Sequence, residues 1–362
     1  MQNLLKKIAM QYSKIHKKFQ LHDTSFTDVR SLLDYVTSFS EESASFLKEW
    51  FDETYFVEVQ TSGSTGVPKK IILKKEQLFN SAMATGSYFQ LKENTTALLC
   101  LSSYYIAGKM MWVRALTLGW HLDVVPTDSN PMENSYKTYD FTAMVPLQVA
   151  NSLDQLFRVK KIIIGGGVVS EELKEKLQEI STQAFATYGM TETITHVAVK
   201  RLNSFKKEKT SCYEVLPSIK ITIDSRGCLV IEAPLLSDQK IVTNDLVDLL
   251  SETQFQWLGR FDAIINSGGV KLIPELIEKK IRNVISEKFF VAGKSDAFLG
   301  EKLILIIEGT HTNITEKKAI LSFLKEVVLE PYEIPKEIYF VKEFLMTDTG
   351  KIKRLLILEN LN

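Results

Sequence analysis

Short apolar runs alternate with helical patterns between residues 96 and 189, and this alternation restricts the fold more than any other feature of the chain. Runs rich in β-branched and aromatic residues predict strands at 96–103, 121–126, 141–146, 160–167 and 183–189. Two helices are predicted between them, over 107–119, ended by Gly119, and over 170–180, with Ser170 as N-cap. Strand–helix–strand repetition predicts a parallel sheet with helices packed on it.

The pattern changes after residue 215, where hairpins replace the alternation. A strand pair is predicted around a turn at Ser225–Gly227, and a second strand pair over 245–260. Beyond Arg260 the alternation returns, with predicted helices at 274–285 and 314–328 and strands at 301–309 and 336–344. We therefore predict a mixed α/β fold, with a large N-terminal domain of sheets packed with helices over 1–260 and a small α+β C-terminal domain over 261–362.

Charge and cysteine content exclude several classes of protein. Lysine plus arginine number 44, as do aspartate plus glutamate, so no net charge attracts the chain to nucleic acid or acidic membrane. Cys100, Cys212 and Cys228 form no close pair, which is typical of reduced thiols and not of a disulfide framework or zinc site. We expect a cytoplasmic protein without a nucleic-acid partner, and homo-oligomerisation stays open.

Membrane insertion is not expected either. No apolar segment approaches the roughly 20 residues that span a bilayer. Residues 1–19 form a basic amphipathic stretch whose apolar run is too short for a signal peptide. This stretch predicts a surface helix, with a helix lying on a membrane as the alternative.

The stretch TSGSTGVPKK, residues 61–70, combines glycines and hydroxyl side chains with two lysines. Glycines let successive backbone N–H groups converge, while hydroxyls add donors and lysine adds positive charge, so the chemistry suits a polyphosphate. The usual P-loop spacing does not fit, because Gly66 is followed by Val67 and Pro68. Predicted strands on both sides, 55–60 and 70–75, also argue against a loop that opens a helix. The alternative is a flexible hairpin tip.

Four further segments follow in a fixed order: GGGVV (165–169), TYGMTET (187–193), TNDLV with LGRFDAIINSGGVKLIP (243–274), and TDTGKIKR (347–354). Together with the phosphate-loop stretch, they resemble the adenylate-forming superfamily of acyl- and aryl-CoA synthetases, adenylation domains and luciferases. The resemblance implies that a carboxylic acid attacks ATP to give an acyl-adenylate, and that coenzyme A then takes the acyl group. ATP, Mg²⁺ and coenzyme A are therefore the expected small-molecule partners, beside the acid.

The resemblance also implies roles for particular residues. Glu192 and Lys351 would be catalytic, and Glu192 would hold Mg²⁺ with Thr65 or Thr191 nearby. Tyr188 would offer a flat face to adenine, and Asp245 would accept hydrogen bonds from the ribose hydroxyls. The expected ATP-binding residues are Thr61, Ser62, Gly63, Ser64, Thr65, Gly66, Lys69, Gly166, Gly167, Tyr188, Gly189, Thr191, Asp245 and Arg260.

In the superfamily the small C-terminal domain rotates between the two half-reactions. The resemblance implies Asp262 as the hinge residue and Ser267, Gly268 and Gly269 as the coenzyme A segment. The chain departs from the usual pattern at Asn244, where most relatives carry glycine, and at Leu276, where they carry glutamate. Several strands and helices that usually precede the phosphate loop are expected to be missing.

The sequence YGMTETITH in a short chain resembles the o-succinylbenzoate–CoA ligases of menaquinone biosynthesis, whose substrate has two carboxylates. The expected acid-pocket residues are Tyr105, Arg114, Gly165 and His196, with Tyr105 where many relatives carry histidine. Arg114 could equally be a surface or interface arginine, and His196 a half-buried structural histidine. Other interpretations are another aryl or fatty acid–CoA ligase, an enzyme that loads a carrier protein, and a non-catalytic nucleotide-binding regulator.

Lys351→Ala is predicted to separate the two half-reactions. Charge builds between the carboxylate and the α-phosphate during adenylation, and losing the ammonium should slow this step by about two to four decades. Thioester formation from purified acyl-adenylate should stay near normal, because the rotated domain has carried Lys351 away. Acid-dependent pyrophosphate exchange and thioester formation measure the two steps, and equal damage to both would contradict the prediction.

Overall fold

The computed structural model describes residues 14–60, 70–203, 212–282, 284–310, 314–327, 329–346 and 352–361. Three predicted features lie wholly or partly outside the described residues: the N-terminal surface helix, the phosphate loop from Thr61 to Lys69, and Lys351. The chain divides into two compact units, residues 1–220 with 232–241, and residues 221–231 with 242–362. Compactness does not show where a chain hinges, so the domain boundary at residue 260 stays a prediction. No described helix is both long and apolar enough to cross a membrane.

The first unit is built on one main sheet and a separate hairpin. Its described strands are β1 (Gln20–Leu21), β2 (Thr24–Ser25), β3 (Phe56–Gln60), β4 (Lys70–Lys74), β5 (Thr96–Leu99), β6 (His121–Val124), β7 (Tyr139–Met144), β8 (Val159–Ile164), β9 (Gln183–Gly189), β10 (His196–Arg201) and β11 (Tyr213–Val215). Its described α-helices are α1 (Val29–Thr37), α2 (Glu41–Phe51), α3 (Lys75–Phe89), α4 (Ile106–Leu118), α5 (Pro146–Asn151) and α6 (Glu171–Leu177).

The main sheet of this unit has the strand order β11-β10-β9-β8-β7-β5-β6-β1-β2. Strands β5 to β9 pair in parallel throughout, which confirms the parallel sheet predicted from the alternation. Most residues of the central strands β5, β7 and β8 are buried, as is typical of parallel strands inside a sheet. Strand β10 then reverses direction and pairs antiparallel with β9.

Strands β3 and β4 form a hairpin and stand directly before and after the predicted phosphate loop in the sequence. The two strands pair antiparallel from Phe56 with Lys74 to Gln60 with Lys70. The expectation of strands on both sides of residues 61–69 is therefore confirmed.

Helix ends follow local sequence signals. The Ser170 hydroxyl accepts a hydrogen bond from the Leu173 N–H at 3.1 Å, as predicted for the N-cap of α6. Gly119 ends α4 in the left-handed conformation at φ 70°, also as predicted. Some predicted elements are shorter in the structure: the strand expected at 160–167 stops at Ile164, because the glycines after it turn the chain.

The second unit contains two sheets. Apart from a few end residues, its strands are β12 (Lys220–Ile223), β13 (Cys228–Glu232), β14 (Ile241–Leu249), β15 (Gln254–Arg260), β16 (Ile265–Ser267), β17 (Val270–Leu272), β18 (Phe289–Asp296), β19 (Gly300–Glu308) and β20 (Glu337–Val341). Its described α-helices are α7 (Pro274–Ile281), α8 (Ile314–Val327) and α9 (Arg354–Glu359). One sheet has the order β12-β13-β14-β15, and the other has β17-β16-β19-β18 with β20 beside β19.

A buried ion pair fixes the segment that follows Lys351. Glu278 on α7 is buried and accepts hydrogen bonds from Arg354 Nη1 at 2.9 Å and Nη2 at 3.0 Å. The chain before and after residues 347–351 is also joined, because Met346 and Ile352 form a β-bridge. The residues on either side of Lys351 are therefore attached to the second unit.

Gly108→Ala is predicted to destabilise the first unit by at least about 2 kcal/mol. A Cβ at Gly108 on α4 would lie 2.2 Å from the carbonyl oxygen of Ser102, and backbone cannot move away cheaply. The matched control is Gly86→Ala on α3, where the atom nearest to the added Cβ would be the end of the Leu118 side chain at 2.8 Å. Urea unfolding of both variants checks the difference, and equal losses would contradict it.

Candidate active site

Two predicted site segments emerge side by side at the carboxyl edge of the parallel sheet. Strands β8 and β9 pair with Ile164 opposite Ala186, so Gly165–Gly167 and Tyr188–Thr191 follow at the same edge. The Thr187 hydroxyl donates to the Ile164 carbonyl oxygen at 3.1 Å and joins the two strand ends. This edge is where open α/β sheets bind their ligands.

The glycine turn has little room for side chains. A Cβ at Gly165 would lie 2.7 Å from the Thr187 hydroxyl oxygen, and Gly166 has φ +76°, which favours glycine. Residues 165–167 therefore present a surface of backbone without side chains, at the same sheet edge as the half-buried Tyr188. Such a surface allows the close approach of a planar ligand, as the adenine and acid assignments require.

The loop between β9 and β10 is closed on itself by Thr193. Its buried hydroxyl accepts from the Met190 N–H at 2.9 Å and lies 2.7 Å from the Thr195 carbonyl oxygen. Ile194 has φ +66°, a conformation that costs energy for a β-branched residue. These constraints hold Glu192 exposed at the outside of the loop.

Glu192 fits a magnesium ion that is shared with phosphate oxygens. Among the residues that the structure describes, no cluster of three or more His, Cys, Asp or Glu side chains could hold a metal by itself. Magnesium bound with nucleotide keeps several waters and needs only one or two protein carboxylates. Glu192 and the neighbouring Thr191 meet this requirement, whereas Thr65 lies outside the described residues.

Arg114 is a buried cation. Its side chain is 1% exposed, and its Nη2 donates to the Thr195 hydroxyl oxygen at 3.3 Å. Its Nε is buried without a hydrogen-bond partner among the described residues, and no described carboxylate forms an ion pair with it. Burial lowers the pKa of Arg114 to about 9. The alternative of a surface arginine is therefore wrong within this chain.

His196 belongs to the same cluster through Thr195. The Thr195 hydroxyl oxygen lies 3.3 Å from His196 Nδ1. That oxygen accepts from Arg114, and it donates to His196 Nδ1 or accepts from it according to the tautomer of the ring. Burial, followed by the Arg114 charge, lowers the pKa of His196 to about 3, so the ring is neutral near pH 7.

The remaining acid-pocket candidate, Tyr105, lies at the N-cap of α4 and is half-buried. The backbone before it is held by Glu42, whose Oε1 accepts from the Tyr104 N–H at 2.8 Å and from the Ser102 hydroxyl at 2.8 Å. Since β5 is parallel to β7 and β8, this segment also follows a strand at the carboxyl edge.

In the second unit Asp245 and Arg260 lie directly opposite each other on β14 and β15. Asp245 is 7% exposed, and its Oδ1 accepts from Trp257 Nε1 at 3.1 Å. Arg260 Nη1 lies 3.7 Å from the same oxygen. The carboxylate is thus an oriented acceptor, as a ribose ligand would need.

The predicted hinge and coenzyme A residues follow directly. Asp262 accepts from Arg260 Nε at 3.0 Å and Nη2 at 2.8 Å, and these bonds lower its pKa. Gly268 and Gly269 form a two-residue turn between β16 and β17, with φ of 60° and 84°. Left-handed conformations at both positions are typical of a tight hairpin turn. The hinge and coenzyme A roles stay predictions.

The comparison with known families agrees with the motifs. A family model described as AMP-binding enzyme matches residues 37–230, more than half of the chain. The chain belongs to the AMP-binding enzyme family. The superfamily membership predicted from the five motifs is therefore confirmed.

Relatives of this AMP-binding enzyme include a 2-succinylbenzoate–CoA ligase of Lactococcus lactis subsp. lactis (strain IL1403). It is 27% identical over 356 residues, which cover 89% of this chain and 77% of that ligase. A crystal structure of an acyl-CoA synthetase (AMP-forming)/AMP-acid ligase II-like protein from Dyadobacter fermentans DSM 18053 is 37% identical. It matches with a TM-score of 0.59 over 89% of this chain and 94% of that one.

A third comparison concerns the fold alone. The o-succinylbenzoate CoA synthetase from Bacillus subtilis, in complex with the acyl-adenylate intermediate OSB-AMP, matches with a TM-score of 0.73 and 18% identity. The match covers 92% of this chain and 81% of that one. The mixed α/β fold predicted for this AMP-binding enzyme is thereby confirmed.

Sequence reasoning missed residues that orient the predicted ones. Thr195 joins Arg114 to His196, and Trp257 orients Asp245. The signal for Thr195 was its position directly before His196 in TETITH. No local signal marks Trp257, because its contact depends on the register and on the bulge between β14 and β15.

His196→Gln is predicted to remove part of the acid sensitivity of folding. The pKa of His196 is about 3 in the folded chain against an ordinary 6.5, so the unfolded chain binds the extra proton between these values. The contribution of this residue to the free energy of unfolding is therefore complete above pH 6.5. As the pH falls below 6.5, the contribution decreases by about 1.4 kcal/mol per pH unit. Urea unfolding of both proteins between pH 7.5 and 5 measures it, and parallel curves would contradict the assignment.

Proposed function

We propose that this AMP-binding enzyme is an AMP-forming acid–CoA ligase that converts o-succinylbenzoate to o-succinylbenzoyl-CoA in menaquinone biosynthesis. The observation that carries the substrate assignment is the buried Arg114, whose charge no described carboxylate balances. The Lactococcus lactis relative supports it by its name, a 2-succinylbenzoate–CoA ligase. The enzyme would act in the cytoplasm on three small molecules: the acid, ATP and coenzyme A.

In the first half-reaction a carboxylate oxygen of the acid forms a bond to the α-phosphorus of ATP, and pyrophosphate leaves. The reactants are all anions, so the protein contributes mainly position and compensating charge. Asp245 and Arg260 would hold the ribose, and Tyr188 with Gly166 and Gly167 would bound the adenine site. Residues 61–69 and Lys351 would neutralise phosphate charge.

Magnesium, when bound, would shield the phosphate oxygens from one another. Glu192 and Thr191 would hold it, at the outside of the loop that Thr193 closes. The strained Ile194 supports this role, because strained backbone persists where surrounding contacts fix a functional conformation.

In the second half-reaction the coenzyme A thiol attacks the acyl carbonyl, and AMP leaves. The segment Ser267–Gly269 would approach the thiol after a rotation about Asp262. The two-glycine turn supports this assignment, because a Cβ at Gly269 would meet no atom of the described residues within 4 Å.

The acid pocket must recognise a second carboxylate that does not react. A buried guanidinium without a counter-charge is costly, and an anionic ligand would offset that cost. Arg114 Nε is a buried donor and His196 Nε2 is a buried ring nitrogen, and neither has a hydrogen-bond partner among the described residues. We propose that they face the second carboxylate or the keto oxygen, with Gly165 and Tyr105 bounding the aromatic ring.

The test of the reaction is a coupled assay with ATP, Mg²⁺, coenzyme A and a panel of acids. We expect o-succinylbenzoate to give a higher kcat/KM than benzoate or medium-chain fatty acids. Preference for a fatty acid would favour the alternative ligase, and transfer only to a carrier protein would favour a carrier-loading enzyme. Absence of AMP release with every acid would contradict the catalytic proposal.

Arg114→Met tests the substrate pocket. Loss of a hydrogen bond to a charged group should raise the KM for o-succinylbenzoate about tenfold or more and leave the KM for benzoate nearly unchanged. Arg114→Lys keeps the charge, so its KM for o-succinylbenzoate should lie between those of the wild type and Arg114→Met. Arg30→Met, on the exposed surface of α1, is the matched control. An equal rise for both acids would place Arg114 outside the pocket for the second carboxylate.

A further inference from the structure

Arg226 lies in the turn between β12 and β13 and reaches the strand that carries Asp245. Its Nη1 donates to Asn244 Oδ1 at 2.9 Å, and its Nη2 donates to the Thr243 carbonyl oxygen at 3.0 Å. Its Nε donates to Asp224 Oδ2 at 2.8 Å, which holds the guanidinium in the turn. The two residues that precede Asp245 are thus both bound by one side chain.

The same guanidinium lies over the ring of Phe261, with 5.1 Å from Cζ to the ring centroid. Phe261 stands directly between Arg260 and Asp262 in the sequence. A guanidinium over an aromatic face is attractive and restricts both groups. Arg226 therefore contacts the chain immediately before Asp245 and immediately after Arg260.

Asn244 links Arg226 to Asp245, because its Oδ1 accepts from Arg226 and its backbone leads directly into Asp245. A glycine at this position would have no side chain to accept from Arg226. Asp262 engages Arg260 through Nε and Nη2, while Arg260 Nη1 stays 3.7 Å from Asp245.

We propose that Arg226 is a positioning residue for nucleotide recognition, which fixes Asp245 and Arg260 relative to each other through Asn244 and Phe261. The inference rests on the proposed function, in which Asp245 accepts from the ribose hydroxyls. A carboxylate discriminates a hydroxyl from a hydrogen only where its oxygens are held in place. Arg226 itself touches neither the ribose nor the reacting atoms in this assignment.

The experiment compares ATP with 2′-deoxy-ATP, which lacks one ribose hydroxyl. Calorimetry measures the binding of each, and pyrophosphate exchange with o-succinylbenzoate measures each KM. We expect the wild type to prefer ATP by about tenfold or more, as for a lost hydrogen bond to a charged group. Arg226→Ala should reduce this preference at least about threefold, mainly because ATP binds more weakly. Arg226→Lys should restore part of the preference.

Asn244→Gly gives a second route that leaves Arg226 in place. Asn244→Gly should reduce part of the preference for ATP. In that variant, adding Arg226→Ala should lower the preference less than it does in the wild type. Arg282→Ala, an arginine truncation at the end of α7, is the matched control and should keep the wild-type ratio. Asp245→Ala should abolish the preference.

The outcomes separate this inference from the function on which it rests. If Arg226 had a purely structural role, Arg226→Ala would lower thermal stability and weaken the binding of both nucleotides equally. An unchanged ratio of ATP to 2′-deoxy-ATP binding in Arg226→Ala would therefore overturn the positioning role. Additive effects of Arg226→Ala and Asn244→Gly would overturn the path through Asn244. Failure of the wild type to bind ATP would instead defeat the proposed function.

Discussion

Parallel pairing of β5, β7, β8 and β9 is the constraint on which the first-unit site depends. Parallel strands place all their carboxyl ends at one edge, so the loops after them become neighbours although they are far apart in sequence. The Tyr105 segment, the glycine turn and the Tyr188–Glu192 segment each follow one of these strands. A shift of one residue in the β8–β9 register would separate Thr187 from Ile164 and turn the Tyr188 ring to the other face.

The loops at this edge differ in how completely their polar groups are satisfied. Thr187 joins the ends of β8 and β9, and Thr193 closes the loop between β9 and β10, each through side-chain hydrogen bonds to backbone groups. Arg114 Nε and His196 Nε2 are buried nitrogen atoms without a hydrogen-bond partner among the described residues. Buried donors are costly when unsatisfied, so the cluster around Thr195 is where a ligand acceptor would gain most.

Much of the fold could be predicted from the sequence because buried parallel strands and capped helices leave local signals. Ser170 and Gly119 mark helix ends through their own conformational preferences, and the five motifs identify the family in order. Helices α1, α2 and α3 were not predicted; α3 begins directly after β4 at Lys75, without a small polar N-cap. The burial of Arg114 has a signal in the sequence, since apolar residues surround it on α4 in MMWVRAL. The contacts of Trp257 and Arg226 had none, because they join strands whose register the sequence does not specify.

Charge is compensated around Asp245 in the second unit and uncompensated around Arg114 in the first, and the chemistry of the proposed ligands explains this difference. In the second unit Asp224 pairs with Arg226 and Asp262 pairs with Arg260, so the cation nearest Asp245 already has a carboxylate partner. A ribose diol is neutral, and its recognition depends on the direction of an acceptor more than on net charge. In the first unit Arg114 keeps a cation buried in apolar surroundings, where electrostatic interactions are strong. A second carboxylate carries a full negative charge, so an uncompensated cation would favour it over a neutral end of the same shape.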